Sequence, residues 1–258
     1  GIDLPTIRRY VEAAGDARVT VAGGIASTED IAALDQLGVD AQVGMALYTN
    51  KLSLADCFCA PLVSDRADGL WPTIVVNESE QALGLCYSNL ESIDRTLSTG
   101  VAHYWSRRRG LWRKGETSGA EQHILSLDMD CDRDTLRFKV RQTGRGFCHL
   151  PQTSCFGDLT GISELERRLQ QRLAAAPAGS YSRKLFESSE LLAAKIKEEA
   201  DELTAAVTRQ EVIHEAADVV FFALTRLVKE QVAWSEVAAE LDRRSLTVTR
   251  RSQTGSKS

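Results

Sequence analysis

The stretch Asp128-Met129-Asp130-Cys131-Asp132-Arg133-Asp134 sets carboxylates at every second position, with a cysteine between two of them. On a strand, side chains two apart share a face. Asp130, Asp132 and Asp134 are therefore expected to project together, with Cys131 on the opposite side. Carboxylate oxygens suit Mg²⁺ and thiolates suit Zn²⁺, so the run brings a hard site and a soft site within one pleat. Downstream stand Cys148-His149 and Ser154-Cys155-Phe156. Three cysteines are one short of a closed structural zinc site, and an open position for water is the mark of a catalytic one. Water on such a metal is lowered towards hydroxide near neutral pH. Three thiolates donate enough charge to blunt that acidity, which gives a nearby base such as His149 a task. Taken alone, Cys131 or Cys155 reads as a small buried apolar residue, His149 as structural and the Asp-rich run as a solvated turn. Taken together, their spacing favours a metal site.

Around this run, Thr73 to Val76, Leu83 to Cys86, Ala102 to Ser106, Leu125 to Met129 and Leu136 to Val140 read as short strands, with a helix over Leu90 to Ser98. Residues 69–157 are thus expected to form a sheet-rich α+β domain. Before them, residues 1–60 read as α/β. Ile7 to Ala14 is helical, Val19 to Ala22 a strand, and Gly23-Gly24 a turn; Ser27 or Thr28 caps a helix running to Leu37, and Ala41 to Val43 is a second strand. Strand, turn and helix repeated in this way imply parallel βα units.

Residues 162–247 read as all-helical. Ser163-Glu164 is placed to open a helix through Leu173, and Pro177-Ala178-Gly179-Ser180 interrupts the pattern. Helices over Tyr181 to Val207, Glu211 to Gln231 and Ser235 to Ser245 follow, with Leu192, Ile196, Leu203 and Val207 at the spacing of one buried stripe. The polar tail 248–258 is expected to be disordered.

At 258 residues the chain has room for two domains and an extra piece. Its 43% hydrophobic and 26% charged residues are ordinary for a globular protein with a sizeable core. A formal net charge of -5 gives no electrostatic reason to expect a nucleic-acid or membrane surface. The opening Gly1-Ile2-Asp3-Leu4-Pro5 is no secretory signal, and no run of about 18 apolar residues suggests a membrane span. A cytoplasmic protein is expected, in which the six cysteines (Cys57, Cys59, Cys86, Cys131, Cys148, Cys155) serve as thiols or metal ligands rather than disulfides. The absence of an initiating Met makes a processed or excised piece of a longer chain the expectation.

The residues Val21-Ala22-Gly23-Gly24-Ile25 and Val43-Gly44-Met45-Ala46-Leu47-Tyr48 resemble the closing βα units of the phosphate-binding barrels of histidine and tryptophan biosynthesis. In such barrels, strand-end glycines let backbone N–H groups approach a phosphate. Two βα units cannot close an eight-stranded barrel, so a docking remnant without its own catalysis is expected here. A more extensive resemblance covers residues 69–157. The stretch Trp105-Ser106-Arg107-Arg108-Arg109, then Leu111-Trp112-Arg113-Lys114-Gly115-Glu116-Thr117-Ser118-Gly119, is similar to phosphoribosyl-AMP cyclohydrolase. The Asp-Cys-Asp-x-Asp run and the Cys-His…Ser-Cys-Phe ending match that family in the same order. The usual His-Thr-Gly reads His149-Leu150-Pro151, and Gln142 to Phe147 is slightly expanded.

This resemblance implies that Cys131, Cys148 and Cys155 bind Zn²⁺, with Cys131 supplied across a dimer interface. It implies that Asp130, Asp132 and Asp134 bind Mg²⁺ and that His149 assists proton transfer. The substrate-binding set it marks is Arg107, Trp112, Arg113, Lys114, Gly115, Thr117 and Ser118, in which arginines and Lys114 pair with phosphates unless they are only a charged surface loop. The reaction adds water to C6 of an adenine whose N1 carries a phosphoribosyl group, the carbon attacked by zinc deaminases, and the N1–C6 bond then breaks.

In the helical part, Glu198-Glu199-Ala200-Asp201-Glu202 is followed by Glu215-Ala216-Ala217-Asp218. Glu198 and Glu202 share one helix face, as do Glu215 and Asp218, and like charges so spaced need a cation to offset them. Lys195, Lys197 or Arg209 would serve, but Asp218 borders the apolar Val219-Val220-Phe221-Phe222-Ala223-Leu224, where an unpaired carboxylate is costly. Mg²⁺ is favoured for the set. The pattern resembles the all-helical, MazG-like nucleotide pyrophosphohydrolases, and Ser180-Tyr181-Ser182-Arg183-Lys184-Leu185 resembles the start of their phosphoribosyl-ATP pyrophosphatase branch. The resemblance implies Mg²⁺ on Glu199, Glu202, Glu215 and Asp218, with Glu198 as an additional ligand or base and Lys184 on the substrate.

The two resemblances name consecutive steps, release of pyrophosphate from phosphoribosyl-ATP and opening of the purine of phosphoribosyl-AMP. They imply a homodimer. The arrangement is similar to the fungal one, which usually continues into a histidinol dehydrogenase; none is read within these residues. Two other classes stay open: a broad nucleotide pyrophosphohydrolase with a structural zinc domain, and a non-catalytic scaffold built on retired enzyme domains.

Overall fold

The computed structural model describes residues 1–144, 146–150, 152–177 and 179–245, so the tail 248–258 lies outside the described residues, as do Pro151 and Ala178. Two compact units divide the chain, Gly1–Gly157 and Asp158–Ser258.

The first unit opens with α1 (Leu4–Ala14), β1 (Thr20–Ala22), α2 (Thr28–Asp35), β2 (Asp40–Gln42), α3 (Met45–Tyr48) and α4 (Leu54–Cys59). Ser27 and Asp30 form a reciprocal capping box at α2, and Ser53 and Asp56 form another at α4, so local sequence starts both helices. β1 and β2 pair in parallel, as the βα reading expects. Ile7, Ile25, Ile31, Leu34, Val39, Ala46 and Leu52 are buried together beneath these elements.

Next come β3 (Trp71–Val76), β4 (Ala82–Ser88), α5 (Leu90–Thr99), β5 (His103–Ser106), β6 (Gly110–Arg113), β7 (Gln122–Met129) and β8 (Leu136–Gln142). Four strands make one sheet in the order β4-β3-β8-β7; the inner pair is parallel and each outer strand pairs antiparallel with its sequence neighbour. β5 and β6 form a separate antiparallel hairpin. The sheet strands match the short runs read as β; β6 was not read as a strand, because Gly110-Leu111-Trp112-Arg113 is short and follows directly on Arg107-Arg108-Arg109. Fully buried Tyr104 ties this hairpin to the main sheet. Its hydroxyl donates to Gln122 Oε1 at 2.7 Å, and its ring packs 5.6 Å from that of Phe138 and 5.7 Å from that of Trp112.

One expectation is corrected here. Asp130 to Thr135 is not strand: β7 ends at Met129, β8 begins at Leu136, and a turn joins them with Arg133 left-handed at φ 65°. Pleat alternation therefore does not arrange the three aspartates. The turn does so by hydrogen bonding, because Asp130 Oδ1 accepts from the backbone N–H groups of Asp134 and Thr135, each at 3.1 Å.

The second unit contains α6 (Gly161–Ala175), α7 (Tyr181–Glu187), α8 (Ser189–Ala205), α9 (Arg209–Lys229) and α10 (Trp234–Ser245). The expected single helix from Tyr181 to Val207 is broken at Ser188. That residue is extended (φ -111°, ψ 110°), and its hydroxyl accepts from Leu191 N as an N-cap. Leu192 is fully buried on α8 as the stripe requires, but Val207 is 89% exposed beyond its end. Among the described residues no helix is long and apolar enough to cross a membrane.

Candidate functional site

In the sheet unit, a cavity of about 690 Å³ collects Trp112, Arg113, Lys114, Gly115, Thr117 and Ser118 on one side and Cys148, His149 and Cys155 on another. Local backbone rules place these walls. The turn after β6 closes at Gly115, whose φ of +87° and close approach to the Ala120 backbone leave no room for a side chain. The opposite loop is fastened to the sheet where Cys155 N–H donates to Leu83 O at 2.8 Å, and closed on itself where Phe147 N–H donates to Thr153 O at 3.0 Å. The Phe147 ring fills the space beside Gly84, where a Cβ would run into it.

Cys148 and Cys155 line this cavity together, near enough for Cys148 to affect the ionisation of Cys155. Burial, then Cys148, pushes the Cys155 thiol up, while Lys114 acts in the opposite direction. His149 is exposed, with Nδ1 at 4.0 Å from Cys148 Sγ. Lys114 is only 8% exposed. Its ammonium donates to Phe147 O at 2.7 Å and stands 5.0 Å from the Phe147 ring centroid. Burial holds its pKa below the usual lysine value, opposed by Cys86, Cys155 and Cys148. Lys114 thus anchors the cysteine loop through one of its three N–H donors. Arg113 likewise donates to Glu121 Oε1. Arg107 lines an adjoining cavity with Arg108 and Arg109, and its guanidinium lies 5.1 Å from the Tyr87 ring centroid.

Cys86 lines the same cavity and was not expected there. Burial pushes its thiol up to about 12. Its strand was read, but the wall it faces is made by residues far away in sequence.

The oxygens of Asp130, Asp132 and Asp134 lie within 4.8 Å of one another, so the turn can hold a cation. Cys131, in the same turn, is exposed. Within one chain its sulfur does not gather with those of Cys148 and Cys155, since among the described residues no such trio falls within 4.8 Å.

In the helical unit, Glu199 and Glu202 of α8 meet Glu215 of α9, again within 4.8 Å. Three residues connect these helices, and Thr208 with Glu211 forms the capping box that starts α9. Glu199 is buried, Glu202 is exposed, and burial with Glu215 beside it pushes the Glu202 carboxyl up. Glu198 points instead to Lys195 at 2.9 Å, and Lys195 also reaches Glu199 at 3.5 Å, which supplies the offsetting cation. Asp218 is not in the trio and is exposed, so the desolvation cost inferred from its apolar neighbours does not arise within one chain. Lys184 is exposed on α7.

Residues 84–157 match the phosphoribosyl-AMP cyclohydrolase family, and residues 162–245 match phosphoribosyl-ATP pyrophosphohydrolase. The histidine biosynthesis bifunctional protein HisIE of Pyrococcus furiosus is 36% identical over 196 residues, covering 70% of this chain and 93% of that protein. The chain belongs to this bifunctional histidine-biosynthesis family. Fungal relatives are more similar but longer. The bifunctional protein his7 of Schizosaccharomyces pombe is 51% identical over 201 residues, and the trifunctional protein of Komagataella pastoris 44% over 236. This chain is covered to 78% and 92% in those matches, yet spans only 48% and 27% of the two proteins. Both matched families are metal-dependent enzymes. Their two matches meet the two clusters just described: the cysteine cavity and aspartate turn fall in the first, the glutamate trio in the second. Residues 1–83 lie outside both matches.

Proposed function

We propose that the chain carries two consecutive hydrolytic activities of histidine biosynthesis: release of pyrophosphate from phosphoribosyl-ATP at the glutamate trio, and opening of the adenine ring of phosphoribosyl-AMP at the cysteine cavity. The observation that carries this reading is the convergence of Cys148, His149, Cys155 and buried Lys114 on one cavity, inside the segment that matches the cyclohydrolase family.

The donor set fits zinc as far as one chain goes. Two cysteine side chains face one cavity beside a buried ammonium, and soft sulfur donors of this kind suit Zn²⁺. Zn²⁺ bound there would activate the water that adds to C6. Cys131 is exposed and away from the pair, which supports its service as third ligand to a second copy in a homodimer. Lys114 holds the Phe147 carbonyl and so fixes the loop that carries Cys148. His149, exposed beside Cys148, is placed to accept a proton from the attacking water and pass it to N1. The arginines at the cavity mouth offer guanidinium groups to the two substrate phosphates, with Arg109 stacked 5.0 Å above the Trp112 ring.

In the aspartate turn and the glutamate trio, clustered carboxylates with all-oxygen donors suit Mg²⁺. Mg²⁺ at the trio would offset charge on the triphosphate, favouring attack of water between the α- and β-phosphates with pyrophosphate as the leaving group. Glu198, one turn before Glu202 and paired with Lys195 in a single chain, is the further carboxylate assigned to bind the ion or orient water there. The N-terminal α/β segment is read as a remnant of a phosphate-binding barrel, and the location as the cytoplasm.

Each substrate supplied separately to wild type, Cys148→Ala and Glu202→Ala tests the assignment. Ring opening alone should be lost in the first variant and pyrophosphate release alone in the second, each by about a hundredfold or more. A folded variant that lost both activities would overturn the two-site reading.

A further inference from the structure

The N-terminal α/β segment lies outside both family matches, yet it grips the aspartate turn. The Arg133 guanidinium binds the Asp35 carboxylate through two nitrogens: Nη2 donates to Oδ1 at 2.7 Å and Nε to Oδ2 at 3.0 Å. The remaining nitrogen, Nη1, donates to the Asp130 carbonyl oxygen at 2.8 Å, across the turn itself. The Arg133 carbonyl in turn accepts from Val63 N–H at 2.9 Å, in the link that follows α4. One residue is thus held from both ends by chain that precedes the sheet.

Two features mark this contact as more than a surface ion pair. Asp35 is the last residue of α2, where the helix dipole disfavours a carboxylate, so its place calls for a cation. Its neighbour Leu34 is fully buried in the N-terminal core, which gives the carboxylate a rigid base. Arg133 sits at the variable position of the Asp-Cys-Asp-x-Asp run, in a left-handed conformation that a side chain adopts only when its surroundings hold it there.

We propose that Asp35 is a positioning residue: through Arg133 the N-terminal segment clamps the turn in the shape that gathers the oxygens of Asp130, Asp132 and Asp134 and presents Cys131 outward. The clamp acts through the Asp130 carbonyl, while the Asp130 carboxylate closes the turn onto Asp134 and Thr135. Its consequence for ring opening rests on the function proposed above; its consequence for the turn does not.

The test uses the full chain with Asp35→Asn, Arg133→Asn and the double variant, Asn being tolerated at a left-handed position. Amide hydrogen exchange at Asp134 and Thr135, without added metal, should quicken about tenfold in each single variant, and the double variant should be no faster than either. The Mg²⁺ concentration for half-maximal ring opening should rise by a similar factor, while pyrophosphate release stays at the wild-type rate. Wild-type exchange and wild-type Mg²⁺ dependence in Asp35→Asn would overturn the proposal. Additive effects in the double variant would overturn it too, since the two residues would then act separately. Should wild type open no ring, the failure belongs to the functional reading, and exchange at Asp134 and Thr135 still decides the clamp.

Discussion

At the scale of single residues, the cavity depends on contacts as much as on its chemical groups. Gly84 shows why. Its side-chain position is filled by the Phe147 ring, and Phe147 immediately precedes Cys148. Gly84→Ala should displace the ring, destabilise the unit by about 1–3 kcal/mol as overpacked cores do, and lower ring opening while leaving pyrophosphate release intact. A thermal melt with both activity assays checks this; unchanged ring opening would mean that Cys148 is placed independently of Phe147. The chemistry-bearing residues themselves were legible: Cys148, His149 and Cys155 are of types and spacings that point to a metal site, and Lys114 was marked for the substrate by the family resemblance. Gly84 and Cys86 were not, because nothing local marks which face of β4 the distant loop 146–155 will cover.

Elements carry the next set of consequences. α6 begins at Gly161, two residues before the expected Ser163, and Glu164 serves as the hub of an ion-pair fork rather than as part of a cap. Arg167 and Arg168 both reach Glu164 Oε1 at 2.7 Å and, Arg167 first, hold its carboxyl down to about 2 against an ordinary 4.5. A depressed acid stabilises the fold above its unfolded value and ceases to do so as pH falls through the folded value. This contribution is therefore complete above about 4.5 and lost on the way to about 2. Glu164→Gln should cost the helical unit about 1 kcal/mol at neutral pH, since both arginines are well exposed. That is roughly 4–8 °C in melting temperature for a unit of this size. The difference from wild type should vanish near pH 2; a constant deficit down to that pH would show that packing, not charge, is responsible. The break at Ser188 belongs to the same scale. Ser188-Ser189-Glu190 is a start signal within a periodic run, and the apolar period on both sides conceals it.

For the whole molecule, the decisive fact is that one chain leaves Cys131 apart from Cys148 and Cys155. If the zinc ligands are shared between copies, Cys131→Ser and Cys148→Ser variants should each be inactive in ring opening. After mixing and reassembly they should recover about one quarter of wild-type activity, because half the dimers are mixed and each mixed dimer has one intact site. No recovery in chains that demonstrably exchange would exclude a shared site. Sequence by itself determined what depends on residue type and short spacing: a helix start at Ser27 or Thr28, the strands of the four-stranded sheet, the shared helix face of Glu198 and Glu202, the two family resemblances and the thiol and carboxylate donors. Only the tertiary structure decided what depends on chain returning from afar. It closed the aspartates by a turn instead of a pleat, gathered Glu215 but not Asp218 with Glu199 and Glu202, set the Lys114 ammonium on a backbone carbonyl, and brought Asp35 to Arg133. The reason is physical: caps and periodic faces are settled within a few residues by backbone hydrogen bonding and burial, whereas these four outcomes depend on where other elements pack.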